Sequence, residues 1–229
     1  MQRRRPAGPF SPRAGEMKEP ASCRRYGPAV LSARFVCRVG TMHETPNVVR
    51  TRGYLPHVEG GGYVQHVVFR VLDAMPPESD VVSFDDERAR LLAIERWLDT
   101  GHGRCSLALE AAADVVVDTL NHFAGARYAL HAFVVMPNHV HALVEPFREH
   151  ALSAIVHSWK SFTAKRINAL DGRSGPFWAR EWYDRFMRDD AHFHQTMKYI
   201  ERNPVVAGLC EAPEAWRWSS AARRSAGAR

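Results

Sequence analysis

Two histidines separated by a single residue, His139 and His141, are the pair in this sequence best suited to chemistry. They follow a Met-Pro-Asn break between two apolar runs, a pattern that predicts a strand, a tight turn and a second strand. Because side chains alternate between the two faces of a strand, both imidazoles point the same way and Val140 points the other. Adjacent imidazoles can form half of a metal site, although a His-x-His pair alone is weak evidence for one.

A third ligand is available further along the chain. The spacing predicts a helix over residues 191–203, capped by Asp189 or Asp190 and ended by Pro204. One stripe of this helix is apolar, and a separate stripe carries His192, Thr196, Tyr199 and Asn203. The Asn203 amide oxygen can complete the coordination of a hard divalent ion that the two imidazoles have begun.

The second half of the chain is its basic part outside the amino-terminal region. Residues 151–229 hold 13 Lys and Arg against 8 Asp and Glu, whereas residues 42–150 hold 9 against 15. A polyanion is therefore expected along this half, although a solvated basic face would give the same count. An amphipathic helix over residues 152–170 and an aromatic, basic strand over residues 177–187 suit phosphate contacts and base stacking, unless the aromatic side chains point into the core. The candidate DNA contacts are His157, Lys160 (the preferred phosphate ligand), Lys165, Arg180, Arg185 and Arg188.

The remaining apolar patterns place further elements around these candidates. We expect strands over residues 63–72, 128–135 and 139–144, and helices from Asp85 or Asp86 to about residue 98 and from about residue 107 to 123. Residues 42–229 are long enough to form a single domain.

Residues 1–41 differ in composition from the rest of the chain. They hold nine Lys and Arg against two Asp and Glu and no sustained apolar period, which predicts a disordered basic extension. The alternative is that translation begins at Met42, which would leave this stretch without a role. The four cysteines are scattered, which favours a reducing cytoplasm, and no signal peptide or membrane anchor is recognised.

Several motifs occur together and in order. They are Arg-Gly-Tyr-Leu-Pro-His at 52–57, Val-Val-Met-Pro-Asn-His-Val-His at 134–141, His-Ser-Trp-Lys-Ser-Phe-Thr at 157–163, Gly-Pro-Phe-Trp at 175–178, Tyr-Asp-Arg-Phe-Met-Arg at 183–188, Tyr-Ile-Glu-Arg-Asn-Pro-Val at 199–205 and Trp-Arg-Trp-Ser-Ser at 216–220. Over about residues 50–220 the chain thus resembles the single-tyrosine HUH transposases, in particular the REP-associated tyrosine transposases related to small insertion-sequence transposases.

This resemblance implies an α+β fold of the HUH nuclease-like, ferredoxin type, with a central antiparallel sheet and packed helices. It implies that His139, His141 and Asn203 bind Mg²⁺ or Mn²⁺ and that Tyr199 is the nucleophile. The implied activity is cleavage and rejoining of single-stranded or hairpin DNA through a 5′-phosphotyrosine link. The protein would then be cytoplasmic and nucleoid-associated when bound to DNA, as a monomer or homodimer.

Two other functions fit the same residues, and several further residues have only structural or supporting roles in this interpretation. The protein could be a domesticated hairpin-binding protein that does not cleave DNA, or a structural domain in which His139 and His141 hold zinc. We interpret His57 and His66 as surface or packing residues, His131 as structural, and His192 as a residue that could orient the phenol or touch phosphate. We expect no catalytic part for Glu201.

Overall fold

The computed structural model describes residues 49–51, 56–58, 61–75, 93–94 and 96–227. Its strands are β1 (Val49–Thr51), β2 (Pro56–Val58), β3 (Gln65–Val71), β4 (Tyr128–Val135), β5 (His139–Pro146) and β6 (Trp178–Phe186). Its longer helices are α1 (Glu110–His122), α2 (Leu152–Leu170), α3 (Asp190–Val206) and α4 (Ser220–Gly227). The predicted extension over residues 1–41, and Asp85 and Asp86, lie outside the described residues. Within the described ranges, no helix combines the length and apolarity that a membrane span requires.

Four of the strands form one antiparallel sheet in the order β4, β5, β3, β6. The chain reaches them as strand, helix, strand, strand, helix, strand, because α1 precedes the β4–β5 hairpin and α2 precedes β6. This order and connectivity are those of the split βαβ, ferredoxin-like arrangement. The predicted α+β fold with a central antiparallel sheet is confirmed. β1 and β2 pair with each other in a separate antiparallel hairpin.

The two faces of the sheet are covered very differently. One face packs against α1 and α2 through a large apolar core that includes Phe69, Val140 and Trp159. Burial of such side chains is worth about 1.5–3 kcal/mol each before entropy costs, so this face dominates the stability of the sheet. The Trp159 indole also donates to the Tyr128 hydroxyl at 2.9 Å, which satisfies its polar atom inside the core.

The opposite face is covered mainly by α3 and carries a second, smaller apolar cluster. Phe193 and Ile200 of α3 pack there against Leu143 of β5 and Val134 of β4. The strand register places the even-numbered residues of β3 and the odd-numbered residues of β5 on this face. The candidate functional residues of the strands therefore lie under α3, away from the main core.

Most predicted elements agree with the structure, and the end of α3 is the clearest correction. We predicted that Pro204 ends this helix, but the helix continues to Val206. A proline lacks only its own N–H, and the last turn is held by bonds from Ala207 N–H to Asn203 O at 2.9 Å and from Leu209 N–H to Pro204 O at 2.8 Å. Of the two predicted caps, Asp189 is used, accepting from His192 N–H at 2.7 Å.

Candidate functional site

Three histidines lie side by side in the sheet face under α3. His139 and His141 of β5 are buried with their Nε2 atoms 3.0 Å apart, and His66 of β3 places its Nε2 atom 2.9 Å from His141 Nδ1. The His66 and His141 rings are stacked at 5.2 Å between centroids. The antiparallel register explains this cluster, since His66 and His141 belong to neighbouring strands and project from the same face.

The ring of His139 is held in one tautomer by Asn138. The Asn138 amide nitrogen donates to Leu98 O at 3.1 Å and to His102 O at 3.0 Å, which leaves its Oδ1 atom as an acceptor. That oxygen lies 2.7 Å from His139 Nδ1, so the ring proton resides on Nδ1. The Nε2 atom of His139 then presents its lone pair to His141, as a metal ligand must.

Burial keeps these imidazoles neutral. It lowers the pKa of His139 to about 3 and those of His66 and His141 well below the usual value. The neighbouring rings add to the effect, because an imidazolium at His139 would repel one at His141. Neutral imidazole is the form that binds metal ions, so these side chains need not lose a proton to do so near pH 7.

Helix α3 brings Tyr199 and Asn203 to the histidines. The Tyr199 ring lies edge-on to His141 with 5.8 Å between centroids and to His66 with 6.1 Å. Asn203 is buried, with its amide nitrogen 3.4 Å from His141 Nε2, while Tyr199 remains 38% exposed. The i, i+4 spacing thus places an amide at the bottom of the site and a phenol at its mouth, where a large substrate can reach it.

The donor set fits a hard divalent cation. Adjacent ligands of an octahedral Mg²⁺ at about 2.1 Å are ~3.0 Å apart, as are the two Nε2 atoms. Asn203 Oδ1 is a buried oxygen without a hydrogen-bond partner, and a half-turn of its amide exchanges the positions of that oxygen and of the nitrogen facing His141. Among the described residues, no three His, Cys, Asp or Glu side chains lie together as a complete metal site. A site here therefore needs the amide, as the sequence interpretation supposed.

The predicted DNA-binding residues do not form one surface. Arg185 is exposed on β6 next to His66 of β3, and Arg188 precedes α3, so both lie on the side of the histidines. Their charges lower the pKa of His192, as does burial, which is the larger effect. His157 and Lys165 are exposed on α2, which packs against the opposite face of the sheet. The structure thus brings only part of this set near the tyrosine.

Lys160, the preferred phosphate ligand in the sequence interpretation, is engaged within the protein. Its ammonium donates to Ala179 O at 2.7 Å and Arg180 O at 2.8 Å. These carbonyls lie where β6 shifts register against β3. Burial lowers the pKa of Lys160 to about 8. The Lys160 side chain therefore connects α2 to the part of edge strand β6 where the register shifts. Arg180, whose side chain is exposed, lies beside this contact.

His131 and Glu201, which the sequence analysis also singled out, have structural partners. His131 pairs with Glu145 at 3.2 Å, and Glu201 accepts from the Ser220 hydroxyl and from Arg224. Sequence reasoning missed the positions of His66, of Asn138 and of Asp99, whose Oδ1 atom lies 3.8 Å from His139 Nε2. Strand alternation marks which face His66 occupies, but only the pairing register shows that this face meets His141.

Known proteins that are similar to this chain include one family and several solved structures. The family described as Transposase IS200 like matches residues 117–203. No curated protein matches the chain. Among solved structures, one of a REP-associated tyrosine transposase bound to a REP hairpin matches at 16% identity and a TM-score of 0.46, covering 77% of this chain and 85% of that one. A Deinococcus radiodurans R1 protein, provisionally described as a transposase, matches at 19% identity and a TM-score of 0.30, covering 67% and 96%.

The matched family segment contains the hairpin of β4 and β5, all of α2 and β6, and α3 as far as Asn203. It therefore includes both histidines of the pair, the tyrosine and the amide. Over this segment the chain is similar to the IS200-like transposases, as the resemblance seen in the sequence predicted.

Proposed function

We propose that the protein is a metal-dependent, single-stranded DNA transposase that cleaves and rejoins DNA through a covalent link to Tyr199. The observation that carries this proposal is the placement of a half-exposed phenol beside two neutral, buried imidazoles and a buried amide. The imidazoles come from β5, and α3 places the phenol and the amide over them. A zinc-binding structural domain would have no use for the phenol at the mouth of the site.

In the proposed reaction, the Tyr199 hydroxyl oxygen attacks a backbone phosphorus. The new bond joins that oxygen to phosphorus, the bond from phosphorus to the 3′ oxygen breaks, the phenol loses its proton and the 3′ oxygen gains one. His139, His141 and Asn203 would hold Mg²⁺ or Mn²⁺, whose charge offsets the charge that develops on the phosphate oxygens. The 5′-phosphotyrosine retains the energy of the phosphodiester, so the reverse attack by a 3′-hydroxyl rejoins DNA without ATP.

The experiment that tests this function uses labelled DNA and the full chain. The protein is incubated with oligonucleotides containing hairpins and single-stranded flanks, taken from repeats around the gene, with Mn²⁺ or Mg²⁺. We expect a protein–DNA adduct that survives denaturation and disappears when EDTA is added. Tight binding of the hairpins with no adduct under any metal would instead indicate a DNA-binding protein without cleavage activity.

The division of the basic residues predicts where DNA lies. Arg185→Ser combined with Arg188→Ser should weaken binding of a single-stranded oligonucleotide about tenfold or more. If each arginine contacts one phosphate, the slope of the logarithm of the binding constant against the logarithm of the salt concentration should become less steep by ~1.4. Fluorescence anisotropy at several salt concentrations measures both quantities. Lys165→Ser combined with Arg166→Ser removes the same charge from exposed positions on α2 and serves as the control. Equal losses in the two double variants would place the DNA elsewhere.

A further inference from the structure

Asp99 is a carboxylate whose position its own helix does not explain. Residues 96–99 are helical, and bonds from Thr100 N–H to Trp97 O and from Gly101 N–H to Leu98 O close the last turn. An acidic side chain at this end lies at the negative end of the helix dipole. Its Oδ1 atom is buried without a hydrogen-bond partner, while 25% of the side chain as a whole is exposed. Such a group destabilises the fold unless something else compensates it.

The unsatisfied oxygen faces the metal-binding nitrogen of His139. Asp99 Oδ1 lies 3.8 Å from His139 Nε2, the atom that carries a lone pair because Asn138 fixes the ring proton on Nδ1. Two acceptors that face each other repel, and a cation between them converts the repulsion into coordination. Among the described residues, Asp99 Oδ1 and Asn203 Oδ1 are the two buried side-chain polar atoms without a hydrogen-bond partner, and both adjoin the histidine pair.

One buried amide positions both Asp99 and His139. The Asn138 nitrogen donates to Leu98 O and His102 O, which flank Asp99 in the chain, while its oxygen holds the His139 ring. The turn after residue 99 is also shaped by Gly103, whose φ of +84° suits glycine and where a Cβ atom would lie 2.5 Å from Asp73 O. The backbone around Asp99 and the His139 imidazole are therefore held by hydrogen bonds to the same amide.

We infer that Asp99 is a further ligand of the divalent cation, joining His139, His141 and Asn203. The inference rests on the proposed function. Two neutral imidazoles and an amide contribute no negative charge, and a carboxylate supplies the charged oxygen that Mg²⁺ and Mn²⁺ favour. The 3.8 Å separation lies between the ~3.0 Å of adjacent and the ~4.2 Å of opposite ligands in an octahedron. As the side chains stand, Asp99 does not complete a ligand set with the two histidines, and a small rotation of its side chain would bring Oδ1 to one of these spacings.

The test measures Mn²⁺ affinity of the full chain by calorimetry, without DNA. We expect Asp99→Asn to weaken Mn²⁺ binding at least ~10-fold and Asp99→Glu, which restores the carboxylate, to recover part of the loss. Asp118→Asn removes the same charge from an exposed position on α1 and should leave the affinity within about twofold of wild type. In EDTA, Asp99→Asn should unfold at the same urea concentration as wild type or a higher one, because it removes the charge from a partly buried carboxylate whose Oδ1 atom has no hydrogen-bond partner.

The outcomes separate this inference from the proposed function. If wild type binds neither Mn²⁺ nor Mg²⁺, the metal-dependent function itself fails. If wild type binds Mn²⁺ and Asp99→Asn binds it equally well, only the ligand role of Asp99 is overturned, whether or not DNA cleavage changes. A clear loss of stability of Asp99→Asn in EDTA would also overturn it, since that result assigns the carboxylate to the fold.

Discussion

Replacing Tyr199 with phenylalanine is expected to abolish the covalent protein–DNA adduct, with a loss of at least ~1,000-fold in the rate of its formation. The substitution removes the one oxygen that would bond to phosphorus and keeps the aromatic ring that lies edge-on to His66 and His141. Because the side chain is 38% exposed and its hydroxyl is not needed to fill the core, folding should be preserved. Denaturing gel electrophoresis with labelled DNA measures the adduct.

The same variant should still bind DNA. Its affinity for the hairpin oligonucleotide, measured by anisotropy in EDTA, is expected within about threefold of wild type, since phosphate contacts dominate such affinities. Tyr63→Phe removes a phenol from the segment before β3 and serves as the matched control, with adduct formation unchanged. An adduct of normal yield in Tyr199→Phe would show that another side chain is the nucleophile.

Replacing His141 with glutamine is expected to remove most metal binding and with it the chemistry. His141 Nε2 lies 3.0 Å from His139 Nε2 and 3.4 Å from the Asn203 amide, so it is central to the predicted ligand set. Loss of a direct ligand should weaken Mn²⁺ binding by at least ~10–100-fold, the range seen when only a supporting residue is lost. Adduct formation at a fixed Mn²⁺ concentration should fall at least ~100-fold.

His131→Gln provides the control for this prediction. His131 is a half-buried histidine on the neighbouring strand β4 that pairs with Glu145 away from the site. The His131→Gln variant should bind Mn²⁺ as wild type does. Urea unfolding of both variants shows whether either substitution disturbs the fold. Equal Mn²⁺ affinity in the two variants would exclude His141 as a ligand.

Much of the fold could be predicted from local patterns. β4 and α2 occupy the predicted residues, because the hairpin break and the apolar stripe of α2 are strong short-range signals. The placement of His139 and His141 on one face follows from strand geometry alone, and the shared stripe of Tyr199 and Asn203 follows from helical periodicity. The prediction at Pro204 failed because a rule about the residue before proline says nothing of bonds formed beyond it.

Pairing between distant segments determined the remaining features of the fold and of the candidate site. Sequence alone determined that a two-histidine strand and a tyrosine-asparagine helix exist, since each depends on residues only a few positions apart. Only the tertiary structure showed that β3 brings His66 to His141, that Asn138 links His139 to the turn bearing Asp99, and that α2 carries its lysines to the other side of the sheet. These relations depend on strand register and on which face each helix covers, and neither is encoded in the local spacing of residues.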